Sequence, residues 1–174
     1  MKSHGVGRRR FLGMIAAIPA AGSFSVAADA RARGMTLKSE GGKPIYDPTL
    51  NEIFVAIDSL TAKEGPGFCI LERRPDFGFA QVGGGSGVYV AEWREWHGRE
   101  GNSPLYVAGS SKGRRTLRVE VPTTAPHTIK VMENECLSLA DAKTIISAFA
   151  RDEQRPDGFL WRDITHKVAA AKTQ

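Results

Sequence analysis

Apolar positions recur at intervals of three and four in two stretches of the chain, and at intervals of two in several shorter runs between them. Leu50, Ile53, Phe54, Ile57 and Leu60 form the first stripe, a spacing that stacks them along one side of a helix. Thr49-Leu50-Asn51-Glu52 supplies its start, a capping box in which hydroxyl and carboxylate satisfy backbone donors left free by the first turn. Gly65-Pro66-Gly67 ends the segment. Ser138-Leu139-Ala140-Asp141 repeats the starting signal, and Leu139, Ala142, Ile145, Ile146 and Phe149 continue as a second amphipathic helix, ended by Pro156-Asp157-Gly158.

Between and after the helices the period shortens to two. Phe68 to Arg73, Phe79 to Val82, Val88 to Trp96, Leu105 to Ala108, Thr116 to Val121 and Thr128 to Glu133 read as antiparallel strands bounded by turn residues, with Phe159 to Ile164 as a last one. In the fifth run, Leu117, Val119 and Val121 are expected to face a core while Thr116, Arg118 and Glu120 face water. Arg31 to Lys43 is polar and glycine-rich without apolar periodicity, so a flexible lead-in is expected over 31–44. The order predicts a single α+β domain over 45–166. Its antiparallel sheet has about five to seven strands, its N-terminal and C-terminal helices pack on one face, and an Ala- and Lys-rich tail follows at 167–174.

The 174 residues are 41% hydrophobic and 25% charged, a balance that excludes a disordered chain or a membrane bundle and suits one packed domain. The formal charge of +5 would point to an acidic partner if it lay on that domain. It does not: Lys2, Arg8, Arg9 and Arg10 stand against Asp29 alone in residues 1–30, and without them 20 basic and 18 acidic residues remain. Nucleic-acid binding thereby loses most of its electrostatic support.

Those first thirty residues read as an export signal. Arg8-Arg9-Arg10 leads into the uncharged stretch Met14 to Ala28, a charged segment followed by an apolar one. Arg8-Arg9 with Phe11-Leu12 resembles the bacterial twin-arginine signal, which implies the twin-arginine export machinery as a partner, folding before export, and a periplasmic or secreted destination. The apolar stretch is weak, with Pro19, Gly22, Ser23 and Ser25 among its alanines, so it fits a cleavable signal rather than a permanent membrane span. Small residues at the two required positions allow cleavage after Ala28, Ala30 or Ala32, with Ala30 favoured.

Catalytic signals are absent. Gly83-Gly84-Gly85-Ser86-Gly87 lacks the Lys-Ser or Lys-Thr and the helix of a phosphate loop, and Val88 stands where a nucleophile elbow around Ser86 needs glycine. A flexible hairpin loop is expected instead. His97, His127 and His166 are far apart and no zinc spacing occurs, so neither a metal nor another cofactor is expected. Cys69 and Cys136 are a candidate disulfide pair in an oxidising compartment, or two buried thiols. A bridge closing this loop of about 67 residues would stabilise the fold by roughly 4 kcal/mol. Neither has a basic neighbour that would make it a nucleophile.

The strand Tyr89 to Trp96 carries more information. Alternation places Tyr89, Ala91, Trp93 and Glu95 on one face and Val90, Glu92, Arg94 and Trp96 on the other. Aromatic, Arg and acidic groups together are characteristic of protein interfaces.

The capped first helix, the Phe68-to-Leu71 strand, Gln81-Val82-Gly83-Gly84, the Tyr89-to-Trp93 strand with Glu92, the late helix with Ala148-Phe149, and Trp161 follow one another in order. Over about residues 48 to 164 this resembles the first family of immunity proteins from bacterial polymorphic toxin systems. The resemblance implies a small, non-catalytic α+β protein that binds a cognate toxin and occludes its active site, with Glu92, Trp93, Arg94 and Trp161 at the family's recurrent aromatic and acidic positions. An exported non-enzymatic binding protein is the expectation. The alternative is a periplasmic enzyme or small-ligand binder with a pocket between sheet and helices.

Overall fold

A computed structural model describes residues 30–74, 78–96, 103–123 and 127–166. The signal residues Arg8, Arg9, Phe11, Leu12 and Ala28, together with His97 and the 167–174 tail, lie outside them.

Capping boxes start both helices where the spacing predicts them. Thr49 accepts from the Glu52 amide and Glu52 from the Thr49 amide at the head of α1 (Leu50–Asp58). Ser138 and Asp141 do the same for α2 (Leu139–Ala150). Among the described residues there are also a short 3-10 turn (Glu133–Glu135) and nine strands: β1 (Met35–Ser39), β2 (Ile45–Tyr46), β3 (Phe68–Arg73), β4 (Gly78–Gly85), β5 (Val88–Glu95), β6 (Leu105–Gly109), β7 (Arg118–Pro122), β8 (Thr128–Met132) and β9 (Leu160–Asp163). Seven form one sheet in the order β2-β1-β3-β4-β5-β6-β9, and β7 and β8 pair separately; all pairs are antiparallel. The protein is α+β, with a seven-stranded antiparallel sheet and two helices.

Three expectations are corrected, two of them in the strands. The segment expected to be a flexible lead-in contains β1, whose Met35 and Leu37 are buried and which pairs with β3 along all five residues. Outside it lies only the two-residue β2, with Ile45 and Tyr46 exposed, and so short an edge offers little backbone for stray pairing. The fifth and sixth predicted strands are the separate β7–β8 hairpin. Val121 is buried and Arg118 and Glu120 face water as expected, whereas Leu117 is exposed.

Two apolar clusters follow from the alternation. Leu37, Cys69, Leu71, Ala80, Val82, Ala91 and Trp93 from the sheet share the main core with Leu50, Ile53 and Ile57 of α1 and Ala142, Ile145, Ile146 and Phe149 of α2. Val90, Leu105 and Val107 project the other way and meet Val121 and Val131 of the hairpin and Ile164. The hairpin thus buries part of the second sheet face.

The glycine run is not a free loop. Gly83 to Gly85 belong to β4, and only Ser86 and Gly87 make the turn. Gly85 has φ +140°, and a Cβ there would lie 2.6 Å from Thr61 Cα and 2.8 Å from the Leu60 carbonyl oxygen, so the segment after α1 can pack against β4 only where a side chain is missing.

Candidate functional site

At one end of the sheet, β3 and β5 and the segment between α2 and β9 enclose a cleft of about 610 Å³ lined by Arg73, Trp93, Arg94, Glu95, Trp96, Phe149, Arg155 and Trp161, with Asp152, Glu153 and Asp157 on its rim. A second cleft of about 710 Å³ lies alongside, lined by Arg31, Arg33, Arg73, Arg74 and Arg151 against Asp152 and Glu153. Arg73, Asp152 and Glu153 belong to both, so the two form one continuous surface.

Aromatic stacking shapes the first cleft. Trp93 is 4% exposed and packs edge-on against Phe149 at 4.9 Å and Trp161 at 6.0 Å between ring centroids. The Trp161 indole N–H donates to the Pro156 carbonyl at 3.1 Å, which fixes its polar end. Arg155 lies 3.6 Å above the Tyr106 ring and 5.4 Å from that of Trp161, and its Nε donates to Glu95 Oε1 at 2.7 Å. Arg73 stands 4.8 Å over the Phe149 ring with its Nη2 on Asp152, and its buried Nε has no hydrogen-bond partner among the described residues. Guanidinium on ring faces and indole edges together form a rigid aromatic and cationic surface. Indole only donates and guanidinium stays charged, so neither transfers protons at neutral pH.

Of the predicted interface residues, Trp93, Arg94, Trp96 and Trp161 line this cleft and Glu92 does not. Alternation divides them: Trp93 and Trp161 pack in the main core cluster. Arg94, outside that cluster, stands 5.8 Å from the Phe79 ring and donates to the Ser103 carbonyl at 3.4 Å. Glu92 accepts from Gln81 at 2.6 Å and lies in a cross-strand row running Gln81, Glu92, Val107, Arg162. Arg162 grips the buried Glu135 with two bonds of 2.6 and 2.8 Å, and Glu135 also accepts from the Met132 amide. The Glu135 hydrogen bonds raise the Arg162 pKa above its ordinary value, with the Glu92 charge adding to the effect. This network ties the hairpin's end to β9.

Arg73, Arg155 and Asp152 escape sequence reasoning. Arg73 ends the predicted strand Phe68 to Arg73, where nothing local tells what it meets, and Asp152 and Arg155 lie in an irregular segment where only the Arg-Pro and Pro-Asp steps at 155–157 signal anything, namely a turn.

Cys69 and Cys136 are free thiols, which corrects the candidate disulfide. Cys69 sits in the main core and Cys136 packs on the second cluster, on opposite sides of the sheet. Burial pushes the Cys69 thiol up to about 12; burial and the Glu135 and Glu133 carboxylates raise that of Cys136. His127 and His166 are exposed. Among the described residues no group of three His, Cys, Asp or Glu is placed to hold a metal, and no helix is long and apolar enough to cross a membrane.

No family model matches the chain, and no curated protein matches it.

Proposed function

We propose that this is an exported, non-enzymatic binding protein that recognises a protein partner through the paired clefts, and that it acts as an immunity protein by covering a toxin's active site. The observation that carries the reading is the surface itself: Trp96 and Trp161 with Arg73, Arg94 and Arg155 around one cleft, backed by the buried Trp93, the residue types that concentrate binding energy in protein interfaces. The order of motifs resembling the first immunity family supports it. Residues of both helices share the core cluster that holds Trp93, which fits helices packed on that face and a cleft at the sheet's end. In the adjoining cleft Arg73, Arg74 and Arg151 are ion-paired with Asp152, Asp47 and Glu153, and Arg31 and Arg33 add positive charge beside them, which favours an acidic or phosphate-rich surface on the partner.

The cleft volumes also lie within the range of small-molecule sites, and this favours a periplasmic small-ligand binder as the second reading. The test uses the exported domain to capture its partner from the native cell envelope, alongside Arg94→Ala and Trp96→Ala. Each substitution should weaken capture tenfold or more while leaving the unfolding midpoint within a few degrees. Turnover of a substrate by the purified domain, or undiminished capture by both variants, would sink the proposal. A small molecule co-purifying in the cleft favours the second reading.

A further inference from the structure

The arginine-lined cleft carries more positive charge than the fold neutralises. Carboxylates match three of its arginines, Asp152 on Arg73, Asp47 on Arg74 and Glu153 on Arg151. Arg31 and Arg33 have no such match. Both are exposed, and Ala32 between them is 1% exposed, with its amide donating to the Pro48 carbonyl at 2.8 Å, so the two side chains stand on a segment fastened to the domain. The Arg31 Nη1 donates to a neutral oxygen, the Asp47 carbonyl, at 3.2 Å. The Arg33 side chain has no partner among the described residues. Arg73 is not saturated either, because Asp152 takes Nη2 and its Nε has no partner.

Two of the matching acids sit on backbone that glycine would suit better. Asp47 has φ +49° and Asp152 φ +61°, in the left-handed region that side chains disfavour. Asp152 closes the end of α2: its amide donates to the Phe149 carbonyl and the Glu153 amide to that of Ala148, the pattern in which helices usually place glycine. Glycine would relieve both positions but could not hold an arginine, and backbone strain kept beside a cleft points to a binding role. Deepening the interface reading of the paired clefts, on which this inference rests, we propose that Arg31 and Arg33 receive carboxylates from an acidic segment of the protein partner, while Asp152 and Asp47 hold Arg73 and Arg74 in place in the same cleft. Carboxylates suit the site better than phosphates. The matched arginines already take one carboxylate each, and Asp152 and Glu153 in the lining repel the greater charge of a phosphate dianion.

The experiment follows the arginine Nε–Hε signals of the full chain by NMR at low salt during titration with acetyl-hexaglutamate amide and, separately, with inorganic phosphate. The Arg31 and Arg33 signals should shift and saturate with the peptide. Arg33→Ala should weaken peptide affinity about tenfold, against less than about twofold for Arg118→Ala, which removes an equal charge from an exposed position of β7. Asp152→Asn keeps a residue tolerant of positive φ and removes a competing carboxylate, so it should tighten binding severalfold, which a purely structural role for Asp152 would not do. Equal losses in Arg33→Ala and Arg118→Ala would reduce the binding to overall charge and overturn the assignment, as would peptide binding unchanged in Arg33→Ala. Saturating phosphate binding tighter than that of the peptide would make the cleft a phosphate site and overturn it as well. None of these outcomes touches the interface reading, which fails separately, on undiminished partner capture by Arg94→Ala and Trp96→Ala.

Discussion

A thiol in water ionises near pH 8.5, and Cys69 does not, because its charged form would have to exist between Val82 and Leu71 with no solvent. Its pKa of about 12 keeps it protonated at any working pH, and the thiolate is the reactive species. Cys136, half-buried beside Glu135, is raised less. A maleimide at pH 8 should therefore add once to the native protein, at Cys136, and twice in denaturant, as counted by intact mass. Two rapid native additions, or a native mass two hydrogens short, would contradict the free-thiol assignment. Gly85 offers a second case in which one atom matters. Its φ is positive, and a methyl group on its Cα would stand within 3 Å of the backbone of residues 60–61. Alanine has no room there, so the residue expected to belong to a loose loop is held by packing.

At the scale of elements, the helices were readable because everything that makes them is local: a cap, an acid three residues later and one apolar stripe. Each cap should be worth about 1 kcal/mol, so Thr49→Ala and Ser138→Ala should each lower stability by roughly that amount in denaturant titration. Glu52 also makes the first cap pH-sensitive. Its carboxylate is held below its ordinary 4.5 by hydrogen bonds from the Thr49 amide and hydroxyl, so the unfolded chain takes up the proton first. The stabilisation is complete above about 4.5 and is lost as pH falls through the lower folded value. Glu52→Gln, which keeps an acceptor without a charge, should flatten the acid limb of the stability curve. An unchanged acid limb would show that the carboxylate is not linked to folding. Strand β1 was not readable, because Met35-Thr36-Leu37 offers two apolar residues and its evidence lies in β3, some thirty residues away. Nor does alternation within β7 and β8 say which sheet they join; that depends on Val90, Leu105 and Val107 needing cover.

On the scale of the whole molecule, one strand serves two clusters, and this explains why the Tyr89-to-Trp96 run showed its two faces but not their uses. Period two is a local property, whereas the cleft is assembled from β3, β5 and the segment after α2, whose meeting is set by the sheet order. The division yields a quantitative expectation. Trp93 is nearly fully buried against Phe149 and Trp161, so Trp93→Ala should cost about 3–5 kcal/mol of stability, a large share of the roughly 5–15 kcal/mol that holds a domain together. Trp96 is only half-buried in the cleft's lining, so Trp96→Ala should cost about 1 kcal/mol or less and act on partner affinity instead. Guanidinium titration of both variants separates the two roles. Equal large losses would make Trp96 part of the core and deprive the proposed interface of its exposed aromatic anchor, while a stable Trp93→Ala protein would mean that the three-ring contact at the sheet's end contributes little to the fold.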